Sequence, residues 1–295
     1  MKDLNDYKVW TAIITPMFDD GSVDYNSLEK LLRRQVAAGN GITILGSTGE
    51  SLNISHDERK EILEFALGLN LDVPYMVGVG GSQLPAQIEW IEYLETKAVH
   101  AYLLVVPLYA KPGDAGQYNW FNSLMDVSSR PVCLYNVPGR TCMPLSVDAA
   151  KKLSSHKNYW AIKEASGSTD EFKKYYDAAP NTHMFSGDDP MLPDFAPLGA
   201  KGVISVAGNV WPEITQKVAT ACVDGTFTEV DLWKRAANSM FTASNPIPAK
   251  AFLAQRGDIT SPQVRAPLHV DDMRDIEAII EVDKKLQILS RAFLI

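Results

Sequence analysis

Short apolar runs rich in β-branched residues alternate along the chain with stretches whose apolar side chains recur every three or four positions. Eight runs, 9–17, 41–47, 74–80, 101–107, 131–138, 159–166, 182–189 and 202–210, read as strands. The run 101–107 is almost continuously apolar, which indicates burial on both faces, as in a parallel sheet covered by helices; an antiparallel sandwich alternates more. Helix signals fill the gaps. Leu28, Leu31, Leu32 and Val36 form a stripe at i, i+3, i+4 and i+8. Ser55-His-Asp-Glu58 has the form of a capping box, and Pro85 suits a first helical turn. Past Gly225, the pattern of Phe241, Phe252, Leu253 and Ile279-Ile280 predicts further helices. The count predicts an α/β fold, a (β/α)8 TIM barrel over 1–225 with a C-terminal helical extension over 226–295 packed on it. A doubly wound sheet shares the same alternation and is the structural alternative.

Charge and composition narrow the partners. Thirty-six Asp and Glu against 28 Lys and Arg leave a net charge of −8, and no basic run offers a footprint for phosphates. Neither nucleic acid nor an anionic membrane surface is expected as a partner. The longest apolar stretch, 101–110, contains Pro107 and falls well short of the ~18 residues of a membrane span. The first eight residues alternate charge and lack the apolar core of an export signal. Cys133, Cys142 and Cys222 are odd in number, far apart and without metal-ligand spacing, so neither a disulfide framework nor a metal site is expected. A cytoplasmic protein is the expectation.

In a barrel the chemistry sits at the carboxyl ends of the strands. After the second run comes Gly46-Ser-Thr-Gly-Glu-Ser51, where glycines let backbone amides approach a ligand and hydroxyls add donors just before the Ser55 cap. A small carboxylate fits such a loop; a serine-rich turn is the plain alternative. It is not a Walker loop, because no Gly-Lys-Ser/Thr follows. The fifth run ends Leu134-Tyr-Asn-Val-Pro-Gly-Arg-Thr141, offering Tyr135 as a proton shuttle and Arg140 as a bidentate carboxylate clamp, or else a core tyrosine with an exposed arginine. The sixth run places Lys163 in an otherwise apolar strand, where a desolvated amine should have a depressed pKa and act as a carbonyl nucleophile. The alternative is a lysine snorkelling from a strand end. Lys111, Lys201 and Lys250 lie in Pro- or Gly-bounded turns and compete less well. Jointly, a lysine nucleophile, a tyrosine acid/base and a carboxylate cradle describe Schiff-base chemistry on a keto acid.

Other motifs carry less. Gly78-Val-Gly-Gly-Ser-Gln83 fails the dinucleotide fingerprint at Gln83. Asp188-Asp189 reads as a helix cap rather than a metal site, Tyr175-Tyr176 as packing and Cys133 as core.

The blocks 12–16, 46–51, 135–141, 162–167, 186–189, 202–206 and 245–250, in that order and over nearly the whole chain, resemble the dihydrodipicolinate synthase / N-acetylneuraminate lyase family of pyruvate-dependent class I aldolases. The resemblance implies a lyase that condenses pyruvate with aspartate semialdehyde in lysine biosynthesis. Lys163 would form the Schiff base, and Tyr135 would relay protons through Ser47 to Tyr109, which matches a tyrosine contributed across a dimer interface. Thr48 and its neighbouring amide would hold the pyruvate carboxylate, Arg140 the semialdehyde carboxylate, and Gly187 and Ile204 would offer backbone contacts beside the Schiff base. No metal or organic cofactor is implied, and the assembly implied is a homotetramer of tight dimers. Ser47, where the synthases usually have threonine, is equally compatible with the lyases. Arg140 and the block 245–250 favour the synthases over aldolases that split sialic or 2-keto-3-deoxy sugar acids. The intact catalytic set speaks against a non-catalytic keto-acid binder. At the position of the family's lysine effector site Ser51 and His56 match, whereas Leu52, Arg59, Ser82, Ala86 and Leu108 replace family residues, so weak or absent inhibition by lysine is expected.

Overall fold

All eight apolar runs form parallel strands, and the last pairs with the first. In the computed structural model, which describes residues 3–292 and their side chains as far as residue 288, these are β1 (Val9–Ala12), β2 (Gly41–Ile44), β3 (Tyr75–Val79), β4 (Ala101–Val105), β5 (Val132–Asn136), β6 (Tyr159–Glu164), β7 (His183–Ser186) and β8 (Gly202–Ser205). Trp10 of β1 lies opposite Ile204 of β8, closing the sheet into a barrel and ruling out the doubly wound alternative. The strands are shorter than the apolar runs because the chain leaves the sheet early on the carboxyl side. Ile13 and Ile14 stay buried in a loop, and 207–209 winds into a 3-10 turn.

The helices are α1 (Tyr25–Ala38), α2 (His56–Gly68), α3 (Leu84–Glu95), α4 (Asp114–Asp126), α5 (Pro138–Thr141), α6 (Val147–Leu153), α7 (Thr169–Ala178), α8 (Leu192–Phe195), α9 (Pro212–Val223), α10 (Val230–Ser239), α11 (Ile247–Arg256) and α12 (Glu277–Ala292). Leu28, Leu31 and Leu32 turn the buried face of α1 to the sheet, and Gly39 ends the helix in the left-handed region at φ +76°. The capping box forms as predicted: Ser55 Oγ accepts from Glu58 N, and the Glu58 carboxylate accepts from Ser55 N at 3.2 Å. Pro85 lies in the first turn of α3.

Period-two alternation sorts the strand residues into two cores. Trp10, Met76, Leu103, Cys133, Tyr135, Ala161, Phe185 and Ile204 fill the barrel, while a larger cluster lies between sheet and helices. That outer cluster includes Phe252, Leu253 and Ile279 from beyond residue 225, so the last helices are seated on the barrel. Polar ties add to this seat: Trp233 Nε1 donates to Asp189 O at 2.9 Å, and Trp211 Nε1 donates to Asp283 at 2.7 Å. Phe241 departs from the predicted helix, lying 39% exposed just after α10.

Candidate active site

A cavity of about 270 Å³ opens at the carboxyl end of the barrel, lined among others by Ser47, Thr48, Tyr135, Arg140 and Lys163. Lys163 points inward because it follows Ala161 by two residues on β6; it lies opposite Tyr135 of β5 and Phe185 of β7. Its Nζ lies 4.2 Å from the centroid of the Tyr135 ring, and it is 4% exposed. The lysine is therefore held inside the barrel mouth rather than snorkelling to solvent. Gly187 lies against the lysine stem. A Cβ there would meet Ala165 Cβ at 2.7 Å and Lys163 Cε and Cγ at 3.0 Å, so this residue must be small. Its N–H is spent on Glu164 O at 2.6 Å, which leaves the carbonyl for a ligand. Ile204 is fully buried in the inner cluster with Tyr135 and Phe185.

The loop after β2 is bent by two non-glycine residues in the left-handed region, Leu45 and Glu50, both at φ +56°. Each costs about 1–2 kcal/mol relative to a right-handed conformation, so tertiary contacts must hold them. Gly78 makes room for the first: a Cβ there would lie 2.1 Å from Leu45 O. Thr15 Oγ1 donates to Gly49 O at 2.8 Å, and Asn245 Nδ2 donates to Thr48 Oγ1 at 2.9 Å. Glu50 is completely buried, its Oε1 paired with Lys250 Nζ and its Oε2 accepting from Arg265 N at 2.8 Å. The same Asn245 accepts on its carbonyl from Arg140 Nη2 at 3.1 Å, so this residue touches both sides of the cavity mouth. Arg140 itself is exposed on α5, which Cys142 ends in the left-handed region.

Two carboxyl groups, Asp188 and Asp189, lie within electrostatic reach of Lys163, while Glu164, next to it on β6, faces the other side of the sheet. Burial pushes Glu164 up to about 7, although Ser166 N and Asn136 Nδ2 donate to it. Burial also raises Asp188 to about 6, opposed by the positive charge of nearby Lys163. Asp189 is likewise raised by burial, against bonds from Ser205 Oγ, Val206 N and Ala207 N. The helix-cap reading of this pair therefore needs correction. Neither side chain caps its own turn; Asp189 instead takes the amides that follow β8 and ties two strand ends together. Among the described residues no group of three or more His, Cys, Asp or Glu gathers in a way that could hold a metal ion. Cys133 is core as expected, and Tyr175 is packing, but Tyr176 is 43% exposed.

Ser47, Thr48, Tyr135, Arg140 and Lys163 thus share one cavity, with Gly187 against the lysine stem just past β7 and Ile204 in the barrel core. Tyr109 does not join them within the chain. It stands 96% exposed at φ +66°, next to Leu108 on the cavity rim, with Leu52, 56% exposed, on the same rim. Sequence reasoning passed over Glu50 and misjudged Lys250, which is no turn lysine but a fully buried one in α11. The signal was present in its apolar helical surroundings, but its partner lies 200 residues away.

The sequence profile of the Dihydrodipicolinate synthetase family matches residues 6–282. The chain is 46% identical to a 4-hydroxy-tetrahydrodipicolinate synthase of Francisella tularensis subsp. novicida over 283 residues, covering 95% of this chain and 96% of that protein. It is 41% identical to the corresponding synthase of Wolbachia pipientis wMel, covering 94% and 95%. Its fold superposes on the crystal structure of dihydrodipicolinate synthase from Thermotoga maritima with a TM-score of 0.88 at 29% identity, covering 95% of this chain and 98% of that one.

Proposed function

The chain belongs to the dihydrodipicolinate synthetase family, and from that premise we propose that it condenses pyruvate with L-aspartate 4-semialdehyde to 4-hydroxy-tetrahydrodipicolinate in lysine biosynthesis. One observation carries the reading: Lys163 lies nearly buried beside Tyr135 in the same cavity as Thr48 and Arg140.

Lys163 Nζ attacks the keto carbon of pyruvate, and loss of water leaves an iminium on the lysine. Removal of a methyl proton gives the enamine, whose carbon attacks the semialdehyde's aldehyde while the aldehyde oxygen takes a proton. The amine of the semialdehyde then adds to the former keto carbon and expels Lys163, closing the ring. Tyr135 is the acid/base for these transfers, relaying through Ser47 to a Tyr109 from a neighbouring subunit. Thr48 with its neighbouring amide receives the pyruvate carboxylate. Arg140, anchored by Asn245 O, receives the semialdehyde carboxylate bidentately. Gly187 and Ile204 supply carbonyl and backbone contacts beside the lysine. The protonated imine is itself the electron sink, so this chemistry calls for no metal or organic cofactor.

A second copy of the chain is part of the reading. An almost fully exposed tyrosine in a strained backbone conformation beside an exposed leucine makes an apolar rim that a symmetric partner would cover. The proposed assembly is a homotetramer of tight dimers, and the proposed location is the cytoplasm. No helix among the described residues is long and apolar enough to cross a membrane.

Turnover of pyruvate plus aspartate semialdehyde, coupled to dihydrodipicolinate reductase and followed as loss of reduced nicotinamide, tests the proposal. Robust turnover is expected. Absence of turnover, with pyruvate still trapped on Lys163 by borohydride, would overturn the substrate assignment and point to a sugar-acid aldolase.

A further inference from the structure

The mechanism above uses neither member of the buried Glu50–Lys250 ion pair, yet the pair touches the carboxylate loop directly. Glu50 lies two residues from Thr48, is buried, and is one of the two residues at which the loop turns left-handed. Lys250 Nζ lies 2.5 Å from Glu50 Oε1 and 2.7 Å from Gln263 O, and both nitrogen and carboxylate are sealed from solvent. From the same segment of chain, Asn245 reaches Thr48. Buried ion pairs contribute little net stability, because desolvation offsets their attraction. Their geometry is nevertheless stiff, since a displaced partner leaves an uncompensated buried charge. An unneutralised Glu50 would also repel an anion bound at Thr48.

We propose that the Glu50–Lys250 pair is a positioning device for the substrate carboxylate. It ties the loop that carries Thr48 to α11, and it cancels the one acidic charge buried in that loop. The C-terminal extension thereby forms part of the keto-acid subsite although it supplies no group to the reacting atoms. This inference rests on the pyruvate reading, with Lys163 as the Schiff-base residue.

Three variants, Lys250→Met, Glu50→Gln and the double Glu50→Gln/Lys250→Met, are compared with the wild type. The readouts are the pyruvate concentration that half-saturates borohydride trapping, KM for each substrate, kcat and the thermal midpoint. In the double variant, which buries no charge, the pyruvate KM and trapping midpoint should rise about tenfold. Its kcat at saturation and its semialdehyde KM should stay within about threefold of wild type. Lys250→Met, which removes the counter-ion of Glu50, should weaken pyruvate more than the double does. A purely structural role would move the thermal midpoint and leave the pyruvate KM of the folded enzyme unchanged. A folded double variant with wild-type pyruvate KM would therefore overturn the proposal. If the double variant does not fold, Glu50→Asp, which keeps the charge but shortens the reach by one methylene, carries the same expectation and the same overturning result. Failure of the wild type to trap pyruvate would instead remove the functional reading on which the inference stands.

Discussion

Lys163 was legible as a residue because period-two alternation in 159–166 puts a single amine on the inward face among apolar neighbours. Its partners were legible only as types, since the sequence shows Tyr135 and Arg140 but not that they face one cavity. Their proposed roles predict separate losses. Lys163→Ala should abolish the borohydride-trapped pyruvate adduct, whereas Arg140→Ala should keep the adduct and lose condensation by about 10²-fold or more, read by mass spectrometry and the coupled assay. Normal semialdehyde turnover in Arg140→Ala would remove that assignment. Glu164 was not singled out at all, because its burial depends on β5 and on Ser166. Its folded carboxyl keeps its proton to about 7, whereas the unfolded chain gives it up near the usual 4.5. The folded state thus binds the extra proton between these values, and stability from this group is greatest below 4.5 and falls as pH rises to 7. The full loss is on the order of 3 kcal/mol. Glu164→Gln should stabilise the protein relative to wild type at pH 8 but much less at pH 5. Equal differences in thermal midpoint at the two pH values would refute this.

Helix starts and stops were readable because capping is local chemistry, as the Ser55–Glu58 box and Gly39 show. Strand ends were not, since the point at which the chain leaves the sheet depends on what covers it, and 13–17 remains apolar after the ladder has ended. The second use of the Glu58 carboxylate was equally hidden. Arg265 holds it with two bonds, at 2.6 and 2.8 Å, and lowers its pKa to about 2, joining the start of α2 to the segment after α11. That contribution is complete above the unfolded pKa of 4.5 and disappears as pH falls toward 2. Arg265→Ala should therefore cost about 1–2 kcal/mol at pH 7, discounted for partial exposure. Urea unfolding at pH 7 and pH 3 checks this: the gap between wild type and variant should narrow in acid.

At the scale of the whole molecule, the exposed Tyr109 makes the proposed assembly testable. If Tyr109 serves the neighbouring subunit, inactive Lys163→Ala and Tyr109→Phe chains should regain activity when mixed and allowed to exchange subunits, because the hybrid contains one site with both groups intact. No recovery on mixing would assign Tyr109 elsewhere. At the position of the family's lysine effector, Arg59 is half-buried with its guanidinium carbon 5.3 Å from the centre of the Trp90 ring, and His56 stacks edge-on to the same ring. A fixed cation beside that aromatic disfavours another. Turnover titrated with lysine should show little inhibition through the millimolar range, and half-inhibition below a millimolar would contradict the reading.

The sequence by itself determined the strand-and-helix alternation, the α/β class and the residue types that point to Schiff-base chemistry, because periodicity, caps and strand-end polarity are local properties of the chain. Only the tertiary structure decided which of those residues share a cavity and what anchors them. Closure of β1 on β8, the burial of Lys250 against Glu50 and the reach of Asn245 to Thr48 join positions about 200 residues apart. Such pairings are set by packing of the completed barrel, and nothing in the neighbourhood of either partner encodes them.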